Sequence, residues 1–131
     1  MRAFREAVEA GDMDAVEALL AEDVVFTSPV VFKPYPGKAI TAAILRAVSK
    51  VFEDFRYERE LAGADGRDHA LVFTARVGDR ELSGCDFIHV DEEGLIDELT
   101  VMVRPLSGAQ ALAAAMGAQF DRIAKEAEAR S

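Results

Sequence analysis

The sequence predicts an α+β fold in one domain spanning residues 1–131, on three observations. Apolar residues recur at helical spacing near the N-terminus, four later segments read as strands separated by turn residues, and a helical stripe returns at the C-terminal end.

The elements follow in order. Phe4, Ala7 and Val8 lie at helical spacing and stop at Gly11, a natural helix end, while Asp12 can cap a second helix carrying Val16, Leu19 and Leu20. From Asp23 the pattern changes to Val24, Val25, Phe26, Thr27 and Ser28, a β-favouring run that stops at Pro29. Lys33-Pro34-Tyr35-Pro36-Gly37 is a breaker cluster, after which Ile40, Ile44, Ala47, Val48 and Val51 form the apolar stripe of a third helix. Turns at Ala64-Asp65-Gly66-Arg67, Gly78-Asp79 and Asp91-Glu92-Glu93-Gly94 then join four strands, at roughly 55–62, 69–77, 81–90 and 95–104. Pro105 ends the last strand, and Ser107 can cap one final helix in which Leu112, Met116, Phe120 and Ile123 repeat at three and four residues. The tail from Lys125 to Ser131 is expected to fray.

Composition narrows the function classes. With 24 acidic and 15 basic residues the formal charge is −9, so the average field repels phosphate backbones and anionic lipid. Nucleic acid and membrane surfaces are therefore not expected partners. Cys85 is the one cysteine, and a single thiol neither closes an internal disulfide nor completes a multi-cysteine metal site. Residues 1–20 carry five carboxylates among their apolar positions, which breaks any signal-peptide core, and no later stretch reaches the ~20 apolar residues of a membrane span. A cytoplasmic protein is expected. His69 and His89 lie apart, so no metal and no cofactor are expected either.

The order helix, helix, strand, helix, four antiparallel strands resembles the nuclear-transport-factor-2-like superfamily over roughly residues 3–104. The pieces that carry the likeness are Ala10-Gly11-Asp12-Met13-Asp14, Leu20-Ala21-Glu22-Asp23-Val24, Ser28-Pro29-Val30, Pro36-Gly37-Lys38 and the hairpin from Asp86 to Gly94. That superfamily includes ketosteroid isomerases and SnoaL-like polyketide cyclases. The resemblance implies a mixed, largely antiparallel sheet curved into a cone, N-terminal helices closing its mouth, a pocket between them, and a homodimer. The C-terminal helix is additional to that pattern.

Against the three functional positions of ketosteroid isomerases, the chain matches one. Phe4 stands where the resemblance places a tyrosine, Ser28 where it places the base aspartate, and Asp86 where it places a protonated aspartate. A serine hydroxyl takes no proton from carbon without a base of its own, so standard ketosteroid isomerisation is not expected.

Strand alternation puts Leu82, Gly84, Asp86, Ile88 and Val90 on one face and Ser83, Cys85, Phe87 and His89 on the other. The register that the resemblance implies puts Leu99, Val101 and Val103 on the pocket face of the last strand, with Glu98, Thr100 and Met102 outward, and Phe55 on the inner face with Tyr57. Asp86 is thus the candidate acid, its charged form disfavoured by apolar neighbours. Phe4, Ser28, Phe55, Tyr57, Ile88, Leu99, Val101, Val103 and Met116 are the candidate ligand-binding residues. For three of them a plainer role stands beside this one: Asp86 as a solvent-facing or amide-paired strand residue, Ser28 as a strand terminator, and Tyr57, for which it is the favoured role, as a core tyrosine with one hydrogen bond.

Two functions fit these residues. One is an isomerase- or cyclase-like enzyme acting on a small hydrophobic carbonyl compound with Asp86 as acid, and the other is a non-catalytic binding or dimerisation module. Apolar side chains on both faces of the sheet favour a homodimer through the outer face in either case.

Overall fold

The structure, a computed structural model, describes residues 1–130. Two short helices, α1 (Arg2–Ala10) and α2 (Met13–Ala18), open the chain. Gly11 joins them at φ 71°, a left-handed conformation that suits glycine, and the Asp12 carboxylate accepts a hydrogen bond from the Ala15 amide to cap α2. There follow β1 (Leu20–Thr27), a two-residue β2 (Tyr35–Pro36) and the long helix α3 (Lys38–Val51). The meander β3 (Glu53–Ala62), β4 (Asp68–Val77), β5 (Arg80–Val90) and β6 (Ile96–Arg104) comes next, with the expected turns between its strands.

All six strands form one curved sheet in the order β2-β1-β6-β5-β4-β3. β1 runs parallel to β6 and every other pair is antiparallel, so the sheet is mixed as expected. Its inner face holds the core: Leu20, Leu71, Phe73, Ile96 and Leu99 are almost completely buried, and α3 adds Ala42, Ala43 and Ala47.

Three expectations about the C-terminal segment need correction. The single final helix is two, α4 (Leu106–Gly117) and α5 (Phe120–Arg130), because the chain turns at Ala118-Gln119 while the apolar spacing continues across the break. Ser107 does not cap α4; it lies inside the helix, whose N-cap is Pro105. The expected fraying from Lys125 is not seen either, since α5 runs to Arg130, and Ser131 lies outside the described residues. α4 packs on β4, β5 and β6, while α5 lies along α3. Gly108 permits the first contact, because a Cβ there would sit 2.7 Å from the Leu82 Cβ. Leu112 and Ile123 bury themselves in the same core as the sheet.

Candidate functional site

Between the inner face of the sheet and the helices lies an apolar cavity of about 560 Å³. This volume falls within the ~300–1,000 Å³ typical of small-molecule sites. Alternation on β5 turns Asp86 inward onto its wall, where its cross-strand neighbours are Leu71 and Val101. Nearby, Phe52, Phe55 and Phe73 form an aromatic group with centroids 5.0 to 5.7 Å apart. Gly84 makes room for it, since a Cβ there would meet Phe73 Cζ at 2.5 Å.

Asp86 is 8% exposed and its Oδ2 accepts a 2.7 Å hydrogen bond from the hydroxyl of Tyr57. No other hydrogen bond to the carboxyl is found among the described residues. Burial pushes the Asp86 carboxyl up to about 7, and the Tyr57 hydrogen bond pulls only partly against it. The same burial, together with the charge of Asp86, drives the Tyr57 phenol well above its ordinary range, so Tyr57 remains a donor. Tyr57 itself is 4% exposed and packs edge-on against Phe55 at 4.9 Å.

Of the expected binding residues, Phe4, Ser28, Phe55, Val101 and Met116 lie on the cavity wall with Asp86. Tyr57, Ile88, Leu99 and Val103 do not. Ile88 and Leu99 are packed into the core, Val103 is half-buried against it, and Tyr57 reaches the site only through Asp86. Ser28 is held locally, its hydroxyl accepting a 3.1 Å hydrogen bond from the Val30 amide.

Several wall residues were not anticipated, among them Phe73 and Tyr35. Phe73 was within reach of the alternation argument, since it shares its face with Leu71 on β4. Another grouping also escaped the sequence: His89, Asp97 and Glu98 bring a ring nitrogen and carboxylate oxygens within 4.8 Å of one another on the outer face. Asp97 Oδ1 lies 2.6 Å from His89 Nδ1 and holds the imidazole pKa above its ordinary value.

With that geometry in place, the family profile of the SnoaL-like domain matches residues 1–99. The chain belongs to the SnoaL-like family. A solved steroid delta-isomerase from Pseudomonas aeruginosa is 46% identical to this SnoaL-like chain, covering 91% of it and 87% of its own length at a TM-score of 0.87. An uncharacterized protein with a cystatin-like fold from Silicibacter pomeroyi is 38% identical, covering 97% and 91% at a TM-score of 0.88. An epoxide hydrolase/cyclase-like enzyme of pyran ring formation in the polyether salinomycin, 20% identical over 80% of this chain and 87% of its own at a TM-score of 0.66, shares the fold alone. A search of curated proteins found no match. No helix among the described residues is long and apolar enough to cross a membrane.

Proposed function

We propose that this SnoaL-like protein binds a small hydrophobic carbonyl compound in the cavity, with protonated Asp86 donating a hydrogen bond to the carbonyl oxygen as the acid of an isomerase- or cyclase-type reaction. The observation that carries the reading is a single carboxyl on a largely apolar wall, with one oxygen taken by Tyr57 and burial favouring its neutral form. Such a group gains most from a ligand that offers an acceptor, because a buried donor left unpaired costs about 1–3 kcal/mol. The steroid delta-isomerase relative supports a ring-bearing ketone as the ligand class.

A non-catalytic binding module is the second reading, and the wall itself favours it. Apart from Asp86, the polar side chains on the wall are Ser28, Ser49 and Tyr35, so neither a second carboxylate nor a histidine stands ready to take a proton from carbon. Both readings place the whole chain in one domain, since Leu112 and Ile123 share the core of the sheet, and both suit a reducing, cytoplasmic setting for the free thiol of Cys85. Both include a homodimer formed through the outer sheet face.

The test compares 2-acetylnaphthalene with 2-ethylnaphthalene, which match in size and differ in the carbonyl. At pH 6 the wild type should bind the ketone about tenfold more tightly, the equivalent of ~1.4 kcal/mol, and Asp86→Leu should lose that preference while still binding the hydrocarbon. A wild type without the preference, or a variant that keeps it, would overturn the proposal. Conversion of a β,γ-unsaturated ketone to its conjugated isomer above the buffer rate separates the enzyme from the binding module.

A further inference from the structure

We infer that the C-terminal helix pair sets the size limit of the ligand, with Met116 and Phe120 as its specificity-determining residues. The inference rests on the binding reading above and adds which part of the chain decides what fits. The family match ends at residue 99, before either helix begins, so this wall is built from sequence outside the matched domain. Leu112, Ala113, Met116, Gly117, Phe120 and Ile123 nevertheless all face the cavity.

These six residues divide into anchors and rim. Leu112 and Ile123 are both buried, one on each side of the turn between α4 and α5, and they fix the two helices to the core. Between them Ala113, Gly117 and Phe120 are exposed while still lining the cavity, which places its opening along this stretch. Val31, also exposed and also on the wall, lies on the β1–β2 connection and forms another part of the rim. Phe120 is the largest of these side chains and is 47% exposed, so its ring is not held by the core and its volume bears directly on what passes or protrudes. Met116, half-buried near the end of α4, is unbranched and yields to different shapes. A ligand with its carbonyl at Asp86 would therefore extend an apolar body toward these two side chains.

The experiment titrates the full chain and its variants at pH 6 with straight-chain alkyl phenyl ketones from acetophenone to nonanophenone. For the wild type, affinity should rise with chain length and then fall at a cutoff. Phe120→Ala and Met116→Ala should each move that cutoff outward by at least two carbons, and Phe120→Trp should move it inward. Because Phe120 is half in solvent, its replacement leaves the buried anchors untouched, and the opposite sign of the tryptophan variant excludes a general loosening of the fold. An unmoved cutoff, or a uniform loss of affinity along the series, overturns the inference while the binding reading stands. Failure of the wild type to bind any member of the series overturns both.

Discussion

The hydroxyl of Tyr57 donates a 2.7 Å hydrogen bond to Oδ2 of Asp86 across a strand that belongs to neither residue. Tyr57 lies on β3 and Asp86 on β5, with β4 between them, and their partners on β4 are Phe73 and Leu71, two residues apart on the same face. A phenol is long enough to span that diagonal, and the curvature of the sheet turns its inner face into a concave surface where such side chains converge. The bond occupies one carboxyl oxygen, which leaves the proton of the neutral acid to the other.

Replacing Tyr57 with phenylalanine keeps the edge-on packing with Phe55 and removes only the hydroxyl. Since that hydrogen bond favours the charged carboxylate, Tyr57→Phe should raise the Asp86 pKa further above about 7, and the lost bond should cost about 1 kcal/mol of stability. Carboxyl carbon NMR and urea titration read the two effects. A pKa that stays in place or falls would show that the hydroxyl has no hold on the carboxyl.

Asp86 also links folding to pH. Its folded pKa of about 7 lies above an ordinary aspartate near 3.8, so the folded state holds a proton that the unfolded state has released. Below the unfolded value both states are protonated and nothing is lost; between about 4 and 7 stability falls as pH rises; above 7 the loss is complete. The difference corresponds to a loss on the order of 4 kcal/mol. Asp86→Asn should flatten this slope, and wild-type and variant unfolding free energies compared from pH 4 to 8 would show it. A wild type whose stability increases relative to the variant over that interval would refute it.

Much of the fold was legible because its punctuation is chemical. Gly66, Gly78 and Gly94, at the three turns of the meander, all have positive φ, and each marked a boundary within two residues of the strand ends observed. β2 was hidden because Pro36 reads as a breaker, yet proline is tolerated on an edge strand, where its missing N–H disrupts no ladder. The break between α4 and α5 was hidden for the opposite reason. An alanine-rich run carries little stop signal, and the stripe from Leu112 to Ile123 keeps its period across the turn. At the site, alternation grouped Asp86 with Leu82, Ile88 and Val90 on one face of β5, and the family resemblance named that face as the inner one. The partnership with Tyr57 depends on two strands separated by a third and on the curvature of the sheet, neither of which is written locally, so Tyr57 read as core.

Gly84 is expected to resist substitution. A Cβ at this position would lie 2.5 Å from both the Met102 carbonyl oxygen and Phe73 Cζ, and the first of these is backbone. Gly84→Ala should cost about 1–3 kcal/mol through overpacking and push the Phe73 ring into the cavity, weakening 2-acetylnaphthalene binding. Thermal unfolding and the same titration check both parts. Unchanged stability would mean that the strands part freely here, and unchanged binding would mean that the ring moves elsewhere.

The outer face of the sheet provides the last prediction. Cross-strand register aligns Val72, Cys85 and Met102 in one row and Ala70, Phe87 and Thr100 in the next, an apolar to weakly polar patch. The helices pack elsewhere, and Phe87 and Met102 stand 43% and 59% exposed, an unusual state for large apolar side chains at the middle of a sheet. A twofold dimer would cover this patch with its own copy, as a self-complementary surface does. Sedimentation equilibrium at micromolar concentration should then give about twice the chain mass of 14.2 kDa. Phe87→Asp together with Met102→Asp should shift the protein to monomer, because two copies would bring like charges into an apolar contact. The substituted side chains point away from the cavity, so the monomer should retain its ketone preference. A wild type that sediments as a monomer would show that the exposed patch is left to solvent.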